Sequence, residues 1–146
     1  MKKCVILIIA SILVFSCKKD KFPSTPTIIT GKVVDQNNIP IEGYEFQFGG
    51  TDKTGFINGN STFDLYNSTN EQGVYLFSII VPSSTDLVEF QPIGKKMDNE
   101  LSNTLFSDIY LVKDGKNMDS GAAGPINYGT TNTFNYQVII RKPDSK

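Results

Sequence analysis

Histidine and tryptophan are absent from this 146-residue chain, and its two cysteines, Cys4 and Cys17, both lie near its start. Without histidine there is no Ser-His-Asp triad, no imidazole general base and no histidine-ligated zinc or copper. From Lys18 onward there is no thiol either, which excludes a disulfide and a thiolate metal site in the body of the chain. An apolar core alone must hold whatever folds there. Excess positive charge is also missing: the net charge is -1, with 14 basic and 15 acidic residues. A nucleic-acid binder would show a basic face, and none is written here. What remains is ordinary for a globular chain, with 39% hydrophobic and 20% charged residues, too apolar for wholesale disorder. The length suits one domain.

The N-terminus has its own grammar. Lys2 and Lys3 form a short positive region, and Cys4 to Phe15 is an apolar run. That run is shorter than the ~20 residues a membrane-spanning helix needs, but it suits the hydrophobic part of an export signal. It ends in Val14-Phe15-Ser16-Cys17, which resembles the lipobox of bacterial lipoproteins. There a small residue precedes a cysteine that receives diacylglycerol before cleavage. Ser16 fits the small position and Cys17 the acceptor, while Phe15 departs from the usual smaller residue in a way that Bacteroidetes-type signals tolerate. The resemblance implies a signal peptide over residues 1–16 and a lipidated Cys17 with a flexible tether over 17–26. Two or three acyl chains, at about 0.8 kcal/mol per buried methylene, would anchor the protein permanently. Lys18 to Pro26 is polar with two prolines, an extended linker reaching about 30 Å at most. With Lys2 and Lys3 removed from the 14 basic residues, 12 stand against 15 acidic ones.

Residues 27–146 read as one β-domain, because period-two alternation recurs and no helical period persists. Strands are expected at Thr27–Asp35, Gly43–Phe48, Val74–Val81, Leu87–Pro92, Ser107–Val112 and Phe134–Arg141. Tyr44, Phe46 and Phe48 share one face, as do Tyr75, Phe77 and Ile79, and as do Phe134, Tyr136, Val138 and Ile140. Val74–Val81 has apolar residues on both faces and reads as a central strand covered on both sides. Phe56 to Asn60 contains Asn-Gly, the strongest short hairpin signal, and suggests a two-strand excursion with Thr62–Tyr66. Turn clusters fall at Gln36–Pro40, Asn67–Gly73, Pro82–Asp86, Lys113–Asn117 and Asp119–Gly129, and Lys95 to Asn103 reads as a loop. About seven short strands at this spacing predict an all-β, antiparallel β-sandwich of transthyretin-like or Ig-like type.

Gly31-Lys-Val33-Val34-Asp35, then Ile39-Pro40-Ile41-Glu42-Gly43-Tyr44-Glu45-Phe46, then Thr69-Asn70-Glu71-Gln72-Gly73-Val74-Tyr75-Leu76-Phe77, resemble the carboxypeptidase regulatory-like domain. The resemblance covers about Thr30 to Ile93. It implies a transthyretin-like sandwich of the kind found in Bacteroidetes lipoproteins, with no catalytic residue. Asn37-Asn38 stands where a glycine is usual, and asparagine also tolerates the left-handed region. Asn70 replaces an aspartate, and the interval from Gly49 to Thr69 is longer than in the family.

Asp35-Gln36-Asn37-Asn38 begins like a calcium loop, but Ile39 and the lack of a following bidentate glutamate make it a turn instead. A calcium ion held by Asp52, Asp64, Glu71 and Asp86 from several loops has no support in their spacing. Tyr66, Phe56 and Tyr128 sit in loop-like contexts where they could stack on a sugar, with core packing or loop anchoring as the expected role. Asn60-Ser61-Thr62 and Asn67-Ser68-Thr69 match the glycosylation sequon but read as loop chemistry in a bacterial protein. The expectation is therefore a non-enzymatic lipoprotein of the cell envelope, in the outer membrane, without cofactor or metal. Its partners would be the membrane, through Cys17, and an envelope protein or a glycan, with no nucleic acid. The alternative is a glycan- or ligand-binding lipoprotein working with an outer-membrane transporter.

Overall fold

The computed structural model describes residues 22–53, 59–95, 106–113, 115–118 and 124–140. Cys17, the expected export signal, Phe56 and most of the stretch Lys95–Asn103 expected as a loop lie outside them. Among the described residues there is no helix, and nine strands form two sheets packed as a sandwich. The strands are β1 (Thr27–Asp35), β2 (Tyr44–Thr51), β3 (Ser61–Ser68), β4 (Val74–Ile79), β5 (Leu87–Lys95), β6 (Phe106–Lys113), β7 (Lys116–Asn117), β8 (Thr131–Thr133) and β9 (Asn135–Ile140). The larger sheet has the order β4-β1-β9-β6-β7, with β8 also on β1, and the smaller has the order β3-β2-β5.

The alternating strands do what their pattern asks. β2 turns Tyr44, Phe46 and Phe48 inward, β4 turns Tyr75 and Phe77, and β9 turns Tyr136 and Val138, all buried together with Ile29, Val33, Ile41 and Phe90. Phe46 is the hub of this aromatic core. Its ring centroid lies 4.2 Å from Tyr75, stacked, and 5.4 Å from both Phe90 and Tyr136. Offset and edge-on pairs of this kind contribute beyond their buried area.

Several expectations need correction. The sheet pairing is mostly antiparallel, but β1 runs parallel to β8 over Ile28–Thr30 and to β9 over Val33–Asp35. A parallel pair needs a long crossover, and everything between β1 and β8 supplies it. The handover from β8 to β9 occurs at Phe134, whose amide bonds Thr30 O at 2.9 Å. Gly31 faces this kink. A Cβ there would lie 1.7 Å from the Phe134 carbonyl oxygen, so only glycine allows the approach.

β4 is not a covered central strand. Among the described residues it pairs with β1 alone and forms an edge of the larger sheet, leaving Val74, Leu76 and Ile80 exposed. The expected excursion of Phe56–Asn60 with Thr62–Tyr66 falls partly outside the described residues, which leave out 56–58. Thr62–Tyr66 belongs to β3, whose partner is β2, with Gln47 opposite Tyr66 and Gly49 opposite Asp64. The long interval from Gly49 to Thr69 is therefore one hairpin, tied at its mouth by Asp52 N–H to Asn60 O at 2.9 Å. Of the flexible tether, the part from Phe22 is docked: the Phe22 ring is buried and meets Tyr128 edge-on at 4.6 Å.

The turns carry the motif residues. Asp35 Oδ1 accepts the amides of Asn37 and Ile39, both at 2.8 Å, and Asn38 adopts the left-handed φ of 64°. Desolvation works against the Asp35 charge, but the Ile39 and Asn37 amides and the Asn37 side chain outweigh it and hold the carboxyl below its ordinary value. Asn70 Oδ1 accepts the amides of Gln72 and Val74 at 3.1 and 2.9 Å. Thr69, at the end of the second sequon, is buried; its hydroxyl donates to Ile41 O at 2.6 Å and accepts the Tyr44 amide at 2.9 Å.

Candidate functional site

With the odd-numbered side chains of β2 directed away from the core, the outer face of the smaller sheet becomes a polar surface three strands wide. Register fixes its rows. Gln47 stands between Tyr66 and Gln91, and Gly49 stands between Asp64 and Glu89. A chain of side-chain hydrogen bonds crosses the sheet along these rows. Gln91 Nε2 donates to Gln47 Oε1 at 2.8 Å, and Gln47 Nε2 donates to Asp64 Oδ1 and to Tyr66 Oη, each at 2.8 Å. Tyr66 Oη in turn donates to Asp64 Oδ2 at 3.1 Å. Each bond fixes an amide or ring that would otherwise rotate freely on the surface.

Beside this network lies a shallow groove of about 180 Å³, lined by Gln47, Gly49, Asp64, Leu87, Glu89 and Gln91 among others. Small-molecule sites that enclose their ligand run to roughly 300–1,000 Å³, so this groove suits a ligand or partner lying across the face. Its floor is Gly49. A Cβ built there meets nothing closer than 3.7 Å, so packing does not require glycine at that position. Glycine inside a strand weakens it and marks places where another molecule can approach the backbone.

Tyr66 sits on a strand rather than in a loop and is 62% exposed. The expectation of core packing or loop anchoring is wrong for it. Its ring lies open beside the groove, while the hydrogen bond to Asp64, some desolvation and the Asp64 charge push its phenol upward against the Gln47 amide. Tyr128 does anchor a loop, through Phe22.

The four carboxylates considered for calcium do not converge. Asp64 is on the outer face of β3, and Glu71 lies in the turn before β4. Asp52 and Asp86 accept the amides of Asn60 and Lys53, at 3.0 and 2.8 Å. Among the described residues no three histidine, cysteine, aspartate or glutamate side chains gather as a metal site.

No signal in the sequence announced the face, because its members come from three strands and meet only through register. The exposed alternation of Glu45, Gln47 and Gly49 was visible; the neighbours it would acquire were not. A comparison with protein-family models, curated proteins and solved structures finds no match to the chain.

Proposed function

We propose that this protein is a lipid-anchored, non-enzymatic module of the cell envelope. It makes contacts for adhesion, scaffolding or envelope assembly through the outer face of its smaller sheet. The observation that carries the reading is the glycine-floored groove beside the bonded row of Gln91, Gln47, Asp64 and Tyr66. The face is organised, open and too shallow to enclose a reacting substrate. The anchor is acylated Cys17, supported by the order of positive residues, apolar run, Ser16 and cysteine. The reading as a carboxypeptidase regulatory-like module rests on the sequence resemblance over Thr30 to Ile93.

A second reading, capture of a saccharide beside an outer-membrane transporter, is favoured by the exposed Tyr66 ring next to carboxylate and amide oxygens. Sugar hydroxyls donate to such acceptors, and the ring offers an apolar face. One experiment separates these readings from neither. The intact lipoprotein is cross-linked in its own membranes and its partners are recovered, comparing wild type with Tyr66→Ala and Gly49→Leu. Both variants should lose the partner at unchanged melting temperature. Undiminished capture by both would remove the face from the account. Binding on a glycan array that disappears in the same variants would select the second reading.

A further inference from the structure

Exposed apolar side chains lie at both ends of the sandwich, Ile39, Val74 and Ile93 at one and Ile80, Leu87 and Tyr128 at the other, and the chain enters at the second. β1 begins at Thr27, which pairs with Ile79 at the close of β4, and Ile80 follows with 56% of its surface exposed. The chain then turns through Pro82–Thr85, where Thr85 N bonds Pro82 O at 3.0 Å. It enters β5 at Leu87, 44% exposed, opposite Thr51 at the end of β2. The loop bearing Tyr128 joins this end through Gly129 N–H to Thr27 Oγ1 at 2.9 Å. Asp52 and Asp86, the carboxylates at this end, each accept a backbone amide.

The N-terminal segment is fixed here as well. Phe22 packs on Tyr128, Thr25 Oγ1 donates to Gly129 O at 3.2 Å, and Pro23 lies so close that a Cβ on Gly129 would be 2.7 Å from it. Five residue steps separate Cys17 from Phe22, a reach of about 17 Å even when fully extended. Three of the four residues between them and the docked ring are lysines, Lys18, Lys19 and Lys21, which anionic headgroups attract. The nine-residue β1 is roughly 30 Å long, so the opposite end of the sandwich, marked by Ile39, points away.

We propose that the β1-entry end of the sandwich is seated on the lipid bilayer, with Ile80, Leu87 and Tyr128 as its contacting side chains. The seating rests on the lipidation of Cys17 and adds an orientation to it: the domain lies against the surface instead of swinging free. Tyrosine at such a boundary places an apolar ring inward and a hydroxyl at headgroup level.

The chain lends itself to the test, since it has no cysteine after Cys17. Full-length protein carrying Ile80→Cys, Leu87→Cys or Ile39→Cys is labelled there with a polarity-sensitive fluorophore. It is then reconstituted in phosphatidylethanolamine–phosphatidylglycerol vesicles containing a doxyl-labelled lipid, with acylation followed by palmitate labelling. Ile39 is 58% exposed, so its variant controls for exposure alone. Probes at 80 and 87 should be quenched several-fold more than the probe at 39. Equal quenching at all three positions in acylated protein, or stronger quenching at 39, overturns the seating while leaving the anchor intact. Absence of palmitate from every variant overturns both.

Discussion

Removing one hydroxyl should have opposite consequences at Tyr75 and Tyr136. Both side chains are buried, at 1% and 0% exposure. Tyr75 Oη donates to the Phe134 carbonyl at 2.7 Å, at the kink where β8 gives way to β9. Among the described residues, Tyr136 Oη is buried without a hydrogen-bond partner. Tyr75→Phe forfeits a bond with a net worth of about 0.5–1.5 kcal/mol and leaves a desolvated carbonyl, so the total loss should reach about 1–3 kcal/mol. Tyr136→Phe removes an unsatisfied polar atom, and replacing a buried orphan hydroxyl by hydrogen is neutral or stabilising by up to about 1 kcal/mol. Urea denaturation of both variants, with unchanged slope, reads the two values directly. A clear destabilisation by Tyr136→Phe, or a silent Tyr75→Phe, would show that the hydroxyls are not placed as described.

Three further outcomes follow from the same core. Gly31→Ala sets a methyl 1.7 Å from the Phe134 oxygen and should cost about 3 kcal/mol or more by overpacking; a near-normal melting temperature would refute the close approach. Phe46→Ala empties the centre of the aromatic cluster, at about 3–5 kcal/mol, or roughly 10–25 °C in thermal melts of a domain this size. Should that variant remain stable, Phe46 is not the hub. In alkali, burial pushes Tyr44 up to about 12 and raises Tyr75 and Tyr136 as well. Stability should hold below about pH 10, where unfolded tyrosine begins to ionise, and fall from there toward pH 12 while the buried rings stay neutral. Tyr44→Phe should make that decline shallower, and a stability flat to pH 11.5 would mean the phenols are accessible.

Strands with one buried face were legible from alternation alone, as β2 and β9 show, because the period of two states directly which residues meet the core. β4 misled for a physical reason. Val74, Leu76 and Ile80 are apolar yet point outward from an edge strand, and a pattern apolar on both faces cannot say whether the second face is covered. β7 and β8, of two and three residues, are too short to carry any period. The parallel pairing of β1 with β8 and β9 joins residues about a hundred positions apart, where local pattern has no reach. The candidate face was hidden in the same way. Tyr66 looked like a loop residue beside an Asn-Gly turn, and only the register of β3 on β2 sets it next to Gln47 and across from solvent. In the sequence Thr69 belongs to a loop-like sequon, whereas burial makes it a tie between Ile41 and Tyr44.

Acylation of Cys17 is what would hold this protein at a membrane. Cells expressing the full-length protein are fed a radiolabelled or clickable palmitate, and wild type is compared with Cys17→Ala after membrane fractionation. Wild type should carry the label and sediment with membranes. Cys17→Ala should carry none, and should leave the membrane fraction or persist as the uncleaved, larger precursor. Label retained at wild-type level in Cys17→Ala would contradict the lipid anchor and, with it, the placement of the sandwich at a membrane surface.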